Sequence, residues 1–423
     1  LFGLLRELSL DWVRASACAA LAILFPYADS IWLWATAGQL DLSVAFWLLG
    51  AILAVRGLRS ADHGGRWHAG ALLLYAASVL LYDETLIVVA LTGSLYLLRA
   101  TRRVALRRWA LDAGTVGLCF LLFSSQLVNL TGGQDVHVTL GLRATLDHIG
   151  MIADEGLTVA IASLVPFGSP GRTAVLVSVL ALVAGSGFVA WRTPDAGVRR
   201  ELVRSLLLAL GGAMVAIAGW GMLAPGDPAY YSPGKPALGN RLNLVADIGL
   251  PLLVVGLVGL AATLAFAAVP RDRRWATPLL IAVAATGIGG AYLDRIYVDR
   301  AAWVESRREQ GIVLERLRGL MARPPAGSTV IARGFPLYVG GDVPVFNASW
   351  DLDGAVKLLW NDATLRAWPG PPGSLACGGT GMAVTGFGNL GLPAPYRHVF
   401  VVDVATGRAA RIDSAAGCRA LGS

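Results

Sequence analysis

Two short acidic runs beside aromatic residues are the first candidates for chemistry. One is Pro26-Tyr27-Ala28-Asp29-Ser30, followed by Ile31-Trp32-Leu33-Trp34; the other is Tyr82-Asp83-Glu84-Thr85. Carboxylates such as Asp29, Asp83 and Glu84 can serve as a general base toward a hydroxyl, or coordinate a divalent cation such as Mg2+ or Mn2+. The alternative is structural: Asp83 and Thr85 cap the helix that follows them, and Asp29 caps a short interfacial helix. A third candidate is the loop APGDPAYYSPGKPALGNRLN at 224–243. Arg241 offers a bidentate fork and Lys235 a point charge, a pair suited to a lipid-linked phosphate or pyrophosphate. Tyr230 and Tyr231 pack against a sugar or sit in an interfacial aromatic belt. Asn240 binds substrate or caps the next helix.

Other polar segments carry weaker signals. The stretch 130–171 contains His137 and His148, with no spacing that suits a metal. Within it, LRATLDHIGMIADEG is amphipathic, with Leu142, Leu146, Ile149 and Ile152 on one face, as in a helix lying along a membrane surface. The chain has no Walker loop, no dinucleotide fingerprint after a strand, no GxSxG and no HExxH. Of the four cysteines, Cys18 and Cys119 fall in apolar runs. Cys377 and Cys418 lie in a polar region and are either a disulfide or two free thiols.

The elements that must position these residues are set by composition. Of 423 residues, 55% are hydrophobic and only 15% charged, against about 25% charged in soluble domains. That excess of apolar surface must be solvated by lipid, so the chain reads as a polytopic helical membrane protein. Nine apolar runs approach the length needed to cross a bilayer: 9–26, 40–56, 67–82, 85–99, 109–129, 172–191, 204–223, 244–268 and 276–293. The net charge of +7 does not point to nucleic acid, because the basic residues cluster between apolar runs. These clusters are Arg56, Arg59 and Arg66; Arg99, Arg102, Arg103, Arg107 and Arg108; Arg192, Arg199, Arg200 and Arg204; and Arg271, Arg273 and Arg274. If the spans alternate, all four fall on one side, which the positive-inside rule makes cytoplasmic. The N-terminus is then cytoplasmic, and 26–39, 82–84, 130–171, 224–243 and everything after Tyr292 lie outside. Lys235 and Lys357 are the only lysines, an Arg bias that suggests a GC-rich bacterial genome.

The domain boundary is expected at 293/294. After a transmembrane domain at 1–293 comes an extracytoplasmic domain at 294–423, opening with an amphipathic helix (Ile312, Leu314, Leu317, Leu320) that Pro324-Pro325 ends. STVIARG then reads as a strand. DGAVKLLWND reads as a helix with Asp353 or its neighbour near the N-cap. HVFVVDVATGRAARID reads as a hairpin turning at Ala405-Thr406-Gly407. The fold expected is mainly α, about nine spans with a small C-terminal extracytoplasmic α/β domain.

Three segments resemble the GT-C superfamily of polytopic membrane glycosyltransferases. PYADSIWLWATAGQLDLSVAFWLLGAILAVRGLR is similar to the family segment where a helix exits at a proline and an interfacial stretch precedes the next helix. HAGALLLYAASVLLYDETLIVVALTGSLYLL resembles the following helix pair with an acidic outer turn, and GNRLNLVADIG the start of a late helix. The resemblance implies transfer of a sugar from a polyprenyl-phosphate donor to a glycan, lipid or protein acceptor of the cell envelope. The transfer would be an inverting displacement on the outer face of a bacterial plasma membrane. It also implies that the chain begins after the family's first outside loop, where the best-known catalytic acid sits. Asp29, Asp83 and Glu84 then support that acid or bind a metal. Competing expectations are an envelope polysaccharide polymerase or ligase, a flippase, or a non-catalytic scaffold.

Overall fold

In lipid, a spanning segment must satisfy its own backbone, so apolar runs fold as helices. The computed structural model describes residues 1–33, 38–60, 62–131, 142–168, 171–224, 226, 232–234, 237–267, 275–385 and 393–422. The helices are α1 (Phe2–Glu7), α2 (Trp12–Ile23), α3 (Asp29–Leu33), α4 (Gly38–Arg59), α5 (Gly64–Leu81), α6 (Leu86–Thr92), α7 (Ser94–Leu97) and α8 (Arg102–Thr131). They continue with α9 (Leu142–Leu164), α10 (Arg172–Arg192), α11 (Ala196–Gly221), α12 (Ala246–Ala265), α13 (Ala276–Leu320), α14 (Ser349–Trp360) and α15 (Ala415–Gly422). Short 3-10 turns occupy Pro26–Ala28, Asp83–Thr85, Ala237–Asn243 and Tyr396–His398.

Among the described residues, α4, α10, α11, α12 and α13 are long and apolar enough to cross a membrane. The apolar α2 is shorter, at 12 residues. The run 85–99 is broken at Gly93, where a Cβ would collide with the Trp109 ring at 2.1 Å. Trp109 Nε1 donates to the carbonyl of Ala90 at 2.6 Å and holds α8 against that break. The helix α8 buries Asp112, which accepts from Tyr96 Oη at 2.6 Å and pairs with His68 Nε2 at 2.8 Å. The expected run 276–293 and the amphipathic helix after it are one continuous helix, α13.

Small residues set the closest helix approach. A Cβ on Gly249 of α12 would stand 2.5 Å from the Ala216 nitrogen and 2.6 Å from the Gly212 oxygen of α11. Gly256 meets Ala209 equally tightly. Backbones that touch this way are characteristic of helix packing in membranes.

The arginine-bearing loops gather round the first residues of the chain. Glu7 takes Arg56 Nε at 2.7 Å and Arg59 Nη1 at 3.0 Å, and Arg99 Nη2 donates to Ser9 Oγ at 2.9 Å. Arg14 joins Asp11 at 2.6 Å and Glu201 at 2.8 Å, and Glu201 also holds Arg204 at 2.9 Å. Members of three of the four clusters thus share one pole of the bundle; Arg271, Arg273 and Arg274 lie outside the described residues.

The chain divides into two units, Leu1–Lys235 with Gly239–Val298, and Pro236–Leu238 with Asp299–Ser423, so the main boundary lies within α13. The second unit is a small α/β fold. Its sheet has the order β4-β1-β8-β9, built from β1 (Thr329–Arg333), β4 (Arg366–Pro369), β8 (Val399–Asp403) and β9 (Arg408–Ile412). Strand β1 is parallel to β4 and β8, and β8–β9 is the antiparallel hairpin. Alternation along β1 fills two cores. Val330 and Ala332 pack with Val313, Leu317, Leu352 and Val356, while Ile331 packs with Trp368, Met382 and Val401. A two-stranded pair, β2 (Tyr338–Val339) and β3 (Val343–Pro344), precedes α14. Strands β5 (Leu375–Cys377), β6 (Gly381–Val384) and β7 (Ala394–Pro395) form a third sheet. Cys377 and Cys418 are joined as a disulfide with a Cα–Cα distance of 5.8 Å. Helix α14 starts at Ser349, earlier than the sequence suggested. Asp353 sits inside it, accepting from the Ala367 amide at 3.0 Å and pairing with Lys357 at 2.5 Å.

Candidate functional site

The pole opposite the arginine cluster is built where α2, α5 and α11 end and where α4, α6 and α12 begin. The chain leaving α2 turns at Pro26, whose fixed φ suits the first position of a 3-10 turn. That turn delivers Asp29, which is buried and accepts a hydrogen bond from Asn240 Nδ2. Asn240 Oδ1 in turn accepts from the Ser30 amide at 3.1 Å. Asn240 therefore ties two distant segments together instead of capping a helix, and the N-cap of α12, Val245, offers no side-chain cap. Three residues on, Asn243 is fully enclosed. It donates to the carbonyls of Tyr27 (2.7 Å) and Pro233 (3.0 Å), and accepts from Trp220 Nε1 at 2.8 Å.

The acidic turn after α5 is held by hydroxyls. Thr85 Oγ1 donates to the Tyr82 carbonyl at 2.9 Å and lies 3.1 Å from Ser43 Oγ and 2.9 Å from Ser78 Oγ. It makes no capping bond to α6, so the capping role considered for it does not hold. Glu84 is only 9% exposed and accepts from Tyr82 Oη at 2.9 Å. Asp83 is half-buried. Burial pushes the Glu84 carboxyl up to about 7; the Tyr82 bond pulls it back, the neighbouring Asp83 adds to the rise, and the Arg241 guanidinium lowers it. Burial also raises Asp83. Arg241, from the turn before α12, thus acts electrostatically on Glu84 and Tyr82.

The structure therefore brings Asp29 to Asn240, and puts Glu84 within the electrostatic reach of Arg241 and Asp83. Tyr230, Tyr231 and Lys235 lie outside the described residues, as does His137. The Cys377–Cys418 disulfide belongs to the other unit. Among the described residues, no three His, Cys, Asp or Glu side chains come together as a metal site.

Two further acids were not singled out from the sequence. Asp41, in the first turn of α4, interacts electrostatically with Asp247, in the first turn of α12. Asp247 is 6% exposed and its Oδ1 has no hydrogen-bond partner. Pro251 has no N–H to return to the Asp247 carbonyl, which loosens the helix at that turn. A lone acid in an apolar helix is costly, and that cost was the signal available in the sequence.

An apolar cavity of ≈ 390 Å³ in the helical unit is lined by Leu164, Val165, Val175, Val254, Val258 and Ile288, and by none of Asp29, Glu84 or Arg241. One turn along α13 from Ile288, the buried Tyr292 donates to the Ser163 carbonyl at 2.8 Å and lies in electrostatic range of Asp247. The loop 224–243 is anchored on α9, where Glu155 accepts from Ser232 Oγ and from the Gly234 amide at 2.9 Å. On α9 the buried face is His148, Ile152, Gly156, Val159 and Ser163, while Leu142, Leu146 and Ile149 are exposed.

No known family model matches the chain, and no characterised protein or solved structure matches it either.

Proposed function

We propose that the chain is a membrane glycosyltransferase that moves a sugar from a polyprenyl-phosphate donor to a cell-envelope acceptor at this pole. The observation that carries the reading is the buried Glu84 carboxyl, which lies within the electrostatic reach of the Arg241 guanidinium and of Asp83. A phosphate leaving group needs a cation, an acceptor hydroxyl needs a base, and a polyprenyl chain needs an apolar groove.

In the reaction, the acceptor hydroxyl oxygen attacks the anomeric carbon and the carbon–oxygen bond to phosphate breaks. The hydroxyl proton passes to the Glu84 carboxylate, and the polyprenyl phosphate leaves against Arg241. A base poised near 7 is suited to this task at neutral pH. Asp29, fastened by Asn240, holds the chain around Arg241 and is a positioning residue.

On this reading the acidic pole faces outward, the arginine-rich pole faces the cytoplasm and the C-terminal unit is extracytoplasmic, where the Cys377–Cys418 bridge suits an oxidising compartment. The deciding experiment is transfer from a labelled polyprenyl-phosphate sugar in membranes carrying Arg241→Ala. Transfer is expected to vanish with expression unchanged, and to return in part with Arg241→Lys. Wild-type transfer by Arg241→Ala refutes the assignment.

A further inference from the structure

At the arginine-rich pole the bundle contains a second cavity, of ≈ 530 Å³, whose lining includes Trp12, Arg14, Arg200, Arg204, Phe266 and Thr277. Its charged lining is three arginines against two carboxylates, Asp11 and Glu201. Arg14 is only 4% exposed, and two of its nitrogens are engaged by Asp11 and Glu201. Of these, Nη2 meets Glu201 as an ion pair without hydrogen-bond geometry, and the third nitrogen, Nε, has no hydrogen-bond partner. Nor has the fully buried Ser205 Oγ, which together with Arg14 Nε converges on Gly259. A buried guanidinium whose hydrogen bonds are incomplete is expensive, and an acceptor oxygen in the cavity that Arg14 lines relieves part of that cost. Arg200 is exposed and Arg204 half-buried.

The apolar part of the lining is equally informative. Trp12 is 66% exposed, and Val13, Val198, Phe266 and Pro278 complete an apolar wall. A pocket that joins arginines to an apolar wall at one end of a membrane bundle fits an amphiphile with a phosphate head. A small hydrophilic anion would leave the apolar wall bare.

We propose that this cavity binds the phosphate headgroup of an anionic membrane phospholipid, with Arg200 and Arg204 as phosphate ligands, Arg14 as the buried donor at the base and Trp12 against the first acyl carbons. The headgroup bridges α2 and α11 and braces the pole where the arginine-bearing loops meet. This site is separate from the proposed transfer site and stands whether or not that reading does.

The test uses the whole chain in detergent micelles, with native mass spectrometry counting bound lipid and thermal unfolding as a second readout. The probes are phosphatidylglycerol, phosphatidylcholine and inorganic phosphate. Phosphatidylglycerol is expected to remain bound and to raise the unfolding midpoint, and phosphatidylcholine and inorganic phosphate to do neither. Arg200→Ala with Arg204→Ala is expected to weaken phosphatidylglycerol binding by roughly tenfold or more, as loss of charge-assisted hydrogen bonds implies. Should that double variant fail to fold, Arg200→Gln, at an exposed position, is expected to weaken binding in the same direction. Phosphatidylglycerol bound equally by wild type and variants overturns the proposal. A midpoint raised as far by inorganic phosphate as by phosphatidylglycerol assigns the cavity to free phosphate and overturns the lipid source.

Discussion

Glu84 shows how one side chain acquires a chemical role from its surroundings. In water a glutamate is ionised at neutral pH, but burial between α5 and α6 brings this one to about 7. As the base of the proposed transfer it works only when deprotonated, so transfer is expected to rise with pH through about 7 and to be lost as pH falls below it. A rate–pH profile of wild type against Glu84→Gln checks this. The variant is expected to lose roughly 10²–10⁴-fold in rate and to lose the acidic limb altogether. A limb that persists in Glu84→Gln places the titrating group elsewhere. Asn243 makes a different kind of contribution. Removing its amide in Asn243→Ala takes away the acceptor of Trp220 Nε1 and a donor to the carbonyls of Tyr27 and Pro233. The expected cost is about 1–3 kcal/mol for each group left unsatisfied, seen as a lower unfolding midpoint.

At the scale of elements, the site depends on how closely α11 and α12 approach. Gly212 and Gly249 allow the turn before α12 to reach the segment after α2, and so set where Asn240 and Arg241 lie. Gly249→Leu has no room against the Ala216 nitrogen or the Gly212 oxygen. It is expected to cost about 1–3 kcal/mol through overpacking, and to reduce transfer even where the protein still inserts. Purified yield and unfolding midpoint, compared with Gly221→Leu at an unobstructed glycine, test this. An equal loss in both variants separates the effect from helix packing. The packing of α8 against α5 and α7 rests instead on Asp112 with His68 and Tyr96. Asp112→Leu alone leaves His68 and Tyr96 facing an apolar group and is expected to destabilise more than Asp112→Leu combined with His68→Leu, measured as the order of their midpoints.

Across the whole molecule, the two units differ in what stabilises them. The first packs long apolar helices through contacts among small residues. The second has a folded core on each side of a four-stranded sheet and a covalent link from β5 to α15. Cys377→Ser with Cys418→Ser is expected to cost about 2–4 kcal/mol. Its signature is a lowered unfolding transition of the second unit, with the transition of the helical unit unchanged. The proposed membrane arrangement has its own test. Single cysteines placed at Asp83 and at Arg199, in a background without exposed thiols, are expected to label from opposite faces of sealed vesicles. Labelling of both from one face overturns that arrangement.

Much of this architecture was legible in local sequence. Apolar runs at 172–191 and 244–268 had to be helical, because lipid offers no partner to an open backbone. The turn at Ala405-Thr406-Gly407 had to close a hairpin, since Gly407 takes a positive φ of 67° between two alternating strands. The acidic turn at 82–85 was marked by carboxylates interrupting an apolar sequence. Local pattern did not decide which residues would meet. Nothing near Asn240 indicates that its amide reaches Asp29, 211 residues earlier. Nor does anything in GNRLN indicate that Arg241 would act electrostatically on Glu84, or that Asp41 and Asp247 would interact. Those pairings follow from the crossing of helices remote in sequence, and the crossing is fixed by glycine contacts and buried amides that only packing brings together. Local chemistry supplied the groups at this pole, and the tertiary structure made them neighbours.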